Sequence, residues 1–270
     1  MKDIRQTPKY ANYLEKIGWK VERTGNSHSF IKNISILGSV VKIQRPEEID
    51  IDAFNFVRKK HSAFQTIIEP KSSEHGSFIT EHGFKLSKSP YLPTKTLHLD
   101  LTKSVNELYN QLAKDAKYSL KKTRDLRIYT VTDTKGFRES WKQAVGMRRW
   151  VPPRMQLDTM LAAFKEDVAL LVTPDGSSGA IFLQGDECAY YWQAFSSKKG
   201  RRSLAQYKIV WAGINWAKER GAKIFDFEGI YDKRFPNKKW RGFTHFKKSF
   251  GGFEVEYPGA FIKTVLPLKI

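Results

Sequence analysis

Residues 188–228 limit the possible folds of this chain more than any other stretch. Cys188–Ala194 (CAYYWQA) reads as a strand, Ser203–Arg220 as a long helix closed at Gly221, and Ile224–Glu228 (IFDFE) as a second strand. That order gives a βαβ crossover and places the chain in the α/β class with a mixed sheet. Thr96–Leu101 (TLHLDL) alternates Leu97, Leu99 and Leu101 with polar residues and is the clearest half-buried strand. A domain boundary is placed just before it, giving residues 1–95 and 96–257.

The remaining segments follow the same periods. In the first domain, helical spacing covers 8–17, 49–61 and 77–82, with short strands at 21–23, 29–32, 39–43 and 66–69. In the second, 105–123 predicts one long helix, 127–131 a strand, and 136–149 and 157–164 two more helices. Residues 168–173 and 179–184 predict a hairpin around the turn PDGSSG, and 253–257 a late strand. No fixed-period repeat interrupts this order. With 270 residues, 40% of them apolar, the chain can bury a core and is not a disordered tail.

Several chemistries are excluded early. There is no Walker P-loop, no nucleophile elbow and no HExxH. The six histidines show no metal-ligand spacing, so no metal is expected. Cys188 is the single cysteine, which rules out an intramolecular disulfide and is best placed in the core. The first twenty residues hold no apolar signal core, and no run approaches the roughly 18 apolar residues of a membrane span. A cytoplasmic protein is expected.

Charge points to a partner. Lys and Arg number 47 against 28 Asp and Glu, a net charge of +19, so polyanions should be attracted. Lys103–Arg127 holds seven basic residues against three acids, and Lys198–Lys248 fifteen against four. In the second window Trp211, Trp216, Phe225 and Phe227 fit a helix and a strand as core. Tyr231, Phe235 and Trp240 lie in a Pro- and Lys-rich loop suited to binding. In RGFTHFKKSFGG, Lys247 sits amid aromatics. It is either an electrophilic stabiliser of a developing anion or a solvated lysine beside a bulge at Gly251-Gly252.

The run WAGINWAKERGAKIFDFEGI (211–230), followed by FKKSFGGFEVEYPG (246–259), resembles the C-terminal signature of the FemABX peptidoglycan-bridge aminoacyltransferases. LDLTKSVNELYNQLAKDAKYSLKKTRDLRIYTVTD (99–133) resembles the family's long helix with its Arg-Tyr-Asn-Ile motif, here Lys117-Tyr118-Ser119-Leu120. QTPKYANYLEKIGWKV, VVKIQRP and GFKLSKSPYLPTKTLHLDL fit its N-terminal half more loosely. Arg45-Pro46 lacks the glycine of the family's Arg-Gly-Pro, and no coiled-coil arm is present.

The resemblance implies two GNAT-like (acyl-CoA N-acyltransferase-like) domains with mixed sheets, with 258–270 expected to complete the first. It implies transfer of an amino acid from aminoacyl-tRNA to the stem peptide of a UDP-linked or lipid-linked muramyl pentapeptide. No cofactor is expected. The chain is expected to act as a monomer with transient contact at the inner membrane surface.

Phe246 and Lys247 match the family's reactive pair, with Asp226 or Glu228 as the assisting carboxylate. Arg45, Arg148 and Arg149 are candidates for the acceptor's diphosphate. Lys117, Tyr118, Tyr207, Trp211 and Tyr231 complete the expected substrate site. Lys198, Lys199, Arg201, Arg202, Lys238, Lys239 and Arg241 form the expected tRNA surface. The competing readings are an acyl-CoA N-acyltransferase, an aminoacyl-tRNA–protein transferase and a non-enzymatic RNA- or membrane-surface-binding protein. SSKKGRRSLAQY (196–207) has Gly200 but not the second small residue of a pyrophosphate-gripping turn, which argues against CoA.

Overall fold

A computed structural model describes residues 1–34 and 38–265. The chain divides into two compact units. An N-terminal unit comprises Lys2–Lys95, Asp232–Asn237 and the described residues from Glu256, and a central unit comprises Thr96–Tyr231 and Lys238–Val255.

The N-terminal unit begins with α1 (Pro8–Lys16), started by Pro8 and by the Thr7 hydroxyl, which accepts from the Tyr10 N–H. β1 (Lys20–Thr24), β2 (Ser27–Asn33) and β3 (Ser39–Gln44) follow as neighbours. α2 (Ile51–Lys60) is capped by Asp50 and buries Ile51, Phe54 and Val57 at helical spacing. It leads to β4 (Ala63–Glu69), which pairs with β3 in parallel. This is a second βαβ crossover, beyond the one that the sequence suggested. α3 (His75–Glu81) and the two-residue β5 (Lys85–Leu86) close this part.

The central unit starts with β6 (Lys95–Asp100), α4 (Val105–Asn110) and α5 (Lys114–Lys122). The single helix expected over 105–123 is two. Gln-Leu-Ala at 111–113 holds no breaker, but the Ala113 N–H donates to the carbonyl of Ser249, a tertiary bond that local propensity cannot foresee. Next come β7 (Tyr129–Thr130), shorter than expected, α6 (Thr134–Val145), α7 (Arg154–Phe164) and the strands β8 (Val168–Val172), β9 (Ser178–Gln184) and β10 (Cys188–Ser196). The helix expected over 203–220 is α9 (Ala205–Glu219), and a short α8 (Lys198–Arg202), not expected from the sequence, precedes it, the two separated at Leu204, whose φ is +61°. β11 (Ile224–Asp226), α10 (Arg241–Lys248) and β12 (Phe253–Glu256) complete the unit. The last strand, β13 (Phe261–Thr264), lies in the sheet of the N-terminal unit, between β4 and β5.

The N-terminal sheet runs β1-β2-β3-β4-β13-β5 and the central sheet β12-β6-β11-β10-β9-β8-β7. In the central unit α9 packs Ile209, Val210, Ile214 and Ala217 onto Phe182 and Phe225. Gly213 permits this approach, since a Cβ there would stand 2.2 Å from the Phe182 ring. Among the described residues no helix is long and apolar enough to cross a membrane.

One irregularity positions the site. β10 pairs in parallel with β11 only through Cys188–Tyr190 against Ile224–Asp226. β10 then continues to Ser196, with a register shift between Tyr191 and Gln193, while β11 ends at Asp226. The two chains part just where Tyr191 and Phe227 begin.

Candidate active site

Lys247 lies in the last turn of α10 and is buried, 8% exposed. No helix was expected here. Its Nζ donates to the main-chain carbonyls of Phe227 and Gly229, both at 2.6 Å. The rings of Phe243 and Tyr191 stand 4.9 and 5.7 Å from it. An ammonium has three N–H bonds, so two are taken by carbonyls and one remains for a ligand. Burial pushes the amine down to about 8, and the Arg149 charge acts the same way. The carboxylates of Glu228 and Asp226 oppose that shift.

The carbonyl pair is set by the turn after β11. Glu228 has φ +53°, a left-handed conformation uncommon for a residue other than glycine. The neighbouring amides are held by a buried bracket. The Asp226 carboxylate accepts from the Thr96 hydroxyl at 2.5 Å, the Glu228 N–H at 2.7 Å and His98 Nε2 at 3.1 Å. The Gly229 N–H donates to Thr96 Oγ1, and the Phe227 N–H to the Leu97 carbonyl. Burial pushes the Asp226 carboxyl up, but the hydrogen bonds from His98, Thr96 and the amide outweigh it and hold it below the usual range. A carboxylate so filled is a poor proton acceptor. Asp226, expected as a catalytic carboxylate, is placed as a structural one, and Glu228 is half-buried beside it.

Residues 158–270 match the model of the FemAB family. That segment is similar to the FemAB family over somewhat less than half of the chain. Over 89 residues the chain is 30% identical to the aminoacyltransferase FemA of Staphylococcus aureus, covering 33% of this chain and 21% of FemA. The match thus spans about a fifth of that relative's length. In fold the chain is similar to the crystal structure of FemX, with a TM-score of 0.79 at 16% identity over 97% of this chain and 92% of that one. It is also similar to a tandem GNAT protein from the clavulanic acid biosynthesis pathway, with a TM-score of 0.51 at 10% identity over 90% and 81% of the two chains. The fold is α/β with GNAT-like mixed sheets, and among the described residues the longest helix is the 15-residue α9, with no coiled-coil arm.

The expected site residues are placed as follows. Phe246 packs edge-on against Tyr207 and Phe250, at 4.8 and 5.5 Å, and so shores up α10 rather than lying loose beside Lys247. Tyr231 donates its N–H to Thr244 Oγ1, and the Arg241 guanidinium lies 5.0 Å over its ring. Arg149 donates to the Ala194 carbonyl on β10 at 2.9 Å, and its charge reaches both Tyr191 and Lys247. The side chain of Arg148 lies outside the described residues. Trp211 packs against the core and edge-on to Tyr109, which makes it a wall of the core. Lys117 donates to the Asn110 carbonyl on its own helix pair, and Tyr118 is exposed under Lys122.

The basic residues 198, 199, 201 and 202 share α8, where Lys199 pairs with Asp175 and Arg201 donates to the Ser196 carbonyl. Lys238 and Lys239 form a single 3-10 turn before Arg241.

Arg45 is the clear correction. It is buried in the N-terminal unit, donates to the carbonyls of Pro70 and Pro93 at 2.9 and 2.7 Å, and lies 3.4 Å over the Tyr257 ring. A fork so engaged is a staple of its own unit, not a phosphate clamp. Tyr191, Phe243, Thr96 and His98 were missed. Phe243, Phe246, Lys247 and Phe250 fall at i, i+3, i+4 and i+7, a helical signal that was present. Among the described residues there is no group of His, Cys, Asp and Glu able to hold a metal ion.

Proposed function

We propose that this protein transfers an aminoacyl group from aminoacyl-tRNA to an amino group on the stem peptide of a peptidoglycan precursor. The observation that carries this reading is Lys247, a buried ammonium with two N–H bonds fixed and one left, beside the parting of β10 and β11 in the FemAB-family segment. FemA being named an aminoacyltransferase supports the reaction class. Both substrates place the reaction in the cytoplasm.

The ester of aminoacyl-tRNA is already activated, so no dissociable cofactor is needed. The acceptor amine attacks the ester carbonyl carbon, the carbonyl oxygen takes up negative charge, and the C–N bond forms as the C–O bond to the ribose breaks. The amine proton passes by way of Glu228 to the departing ribose oxygen. Aligning amine and ester supplies up to about 7–11 kcal/mol of the barrier. The Lys247 ammonium facing the oxyanion adds about 3–4 kcal/mol. Against an acyl-CoA donor, the Gly200 N–H at the start of α8 already donates to Ser197 Oγ. A Cβ at Gly200 would meet Ser178 Oγ at 2.1 Å, so protein atoms fill that turn.

The test is an assay with radiolabelled aminoacyl-tRNAs and a UDP-linked or lipid-linked muramyl pentapeptide. RNase-sensitive label on the pentapeptide is the expected result. Salt-sensitive tRNA binding with no label would replace the acceptor, and neither binding nor label would overturn the reading.

A further inference from the structure

Tyr191 walls the Lys247 site from the far side of the parting. The two carbonyls that grip Nζ follow β11, while Tyr191 belongs to β10, at the point where its register shifts. Its ring stands 5.7 Å from the ammonium, within cation–π reach. A strand that bulges and has left its neighbour does little to fix a side chain, so the ring needs a second hold.

That hold comes from α9. Gln206 Nε2 donates to the Tyr191 hydroxyl at 2.7 Å, and the ring packs at 5.5 Å on Phe182 and edge-on to Phe227 at 6.1 Å. Gln206 lies in the first turn of α9, whose start is set by Leu204 at φ +61°. A bulky residue in the left-handed region is strained, and such strain collects where a side chain has to be aimed. The Gln206 Oε1 is itself buried with no donor among the described residues. A residue that strands a buried acceptor and follows a strained neighbour is a poor choice for stability alone. Burial keeps the Tyr191 phenol protonated far above neutrality, against the pull of the Gln206 hydrogen bond and the Arg149 charge. Tyr191 is therefore neutral where Lys247 titrates, and it acts through its ring rather than through a charge.

We propose that Gln206 is a positioning residue for the chemistry at Lys247, holding the Tyr191 hydroxyl so that the ring stays against the ammonium, opposite the two carbonyls. That this hold serves a reaction rests on the transfer reading above, and the hold itself does not. The charged and titratable groups around Lys247 are Asp226 and Glu228 at and just beyond the end of β11, Arg149 after α6, and Tyr191. Gln206 is uncharged, so its replacement leaves all of those charges in place.

The experiment compares wild type with Gln206→Leu and with Gln206→Leu/Tyr191→Phe. The single variant strands a buried hydroxyl and should turn the ring out of place. The double variant removes hydroxyl and carboxamide together and lets the ring settle back. The titration of Lys247 is followed by NMR in protein carrying isotope-labelled lysine, its signal identified by its absence in Lys247→Met. In Gln206→Leu the midpoint should fall by about half a pH unit, as loss of a cation–π contact predicts. The kcat of the folded fraction should fall about tenfold, with KM little changed. In the double variant the midpoint should return and kcat should recover about fivefold. Tyr191→Leu, which takes the ring away outright, should show the same lowered midpoint and keeps the test open if Gln206→Leu does not fold. An unmoved midpoint would overturn the proposal and leave Gln206 a structural residue, whatever the melting temperature. A double variant as impaired as the single one would overturn it too, since the ring would then not be what Gln206 serves. Absence of transfer by wild type would overturn the transfer reading, and the Lys247 midpoint would still decide whether Gln206 acts on the ammonium.

Discussion

The two units each bury one cation against two main-chain carbonyls, and the two differ in what is left over. Arg45 donates to Pro70 and Pro93 and stacks at 3.4 Å on Tyr257. Its charge is permanent, because a guanidinium does not deprotonate in proteins. Lys247 donates to Phe227 and Gly229 under the looser rings of Phe243 and Tyr191. Its amine titrates near neutrality, at about 8, and keeps an N–H for a ligand. Burial and carbonyl partners are thus common to a staple and to the group proposed above as reactive. A titratable charge with a donor in reserve, set where two strands part, marks the second.

The largest effect should come from Lys247→Met. Transfer by the folded fraction is expected to fall 10²–10³-fold, as loss of one oxyanion donor predicts, with a stability cost of up to about 3 kcal/mol because the Phe227 and Gly229 carbonyls also lose their donor. Near-full activity in a discontinuous assay would remove Lys247 from the chemistry. The mirror image is Arg45→Met, which should cost about 3 kcal/mol in chemical denaturation because two buried carbonyls lose their donors. The folded fraction should keep its turnover, and a loss of turnover without a loss of stability would erase the contrast between the two cations.

The smallest effect is on pH dependence. If the ammonium is the active form, the rate should be level below about pH 8 and fall tenfold per unit above it. Glu228→Gln removes an anion that favours the charged amine, so this limb should move to lower pH. An unmoved limb would detach Glu228 from Lys247. Stability runs the opposite way. The folded value lies below the ordinary 10.5, so the unfolded chain binds the proton more tightly between about 8 and 10.5, and Lys247 weighs less against folding as pH rises through that window.

What the sequence conveyed followed from local periodicity. The crossover at 188–228, the strand at Thr96–Leu101 and the hairpin of β8 and β9 are all written in spacing and turn residues. What it did not convey depends on distant partners. Arg45 looked like a phosphate ligand because Pro70, Pro93 and Tyr257 meet it only after folding. Asp226 looked like a base because its partners Thr96 and His98 lie on the polar side of a strand taken to be half-buried. In the fold both sides of β6 are covered, and that polar side faces the carboxylate. Lys247 stood out by residue type and resemblance, while its burial depended on an unrecognised helix.

β13 has a consequence for the order of assembly. The strand that fills the place between β4 and β5 is made after every residue of the central unit, so the N-terminal sheet stays incomplete through most of synthesis. Until residues 261–264 leave the ribosome, β4 presents a bare edge, the kind of template that recruits other nascent chains. The earliest-made half of this protein is therefore the last to close, and a chaperone that shields it need hold on only until that short strand emerges.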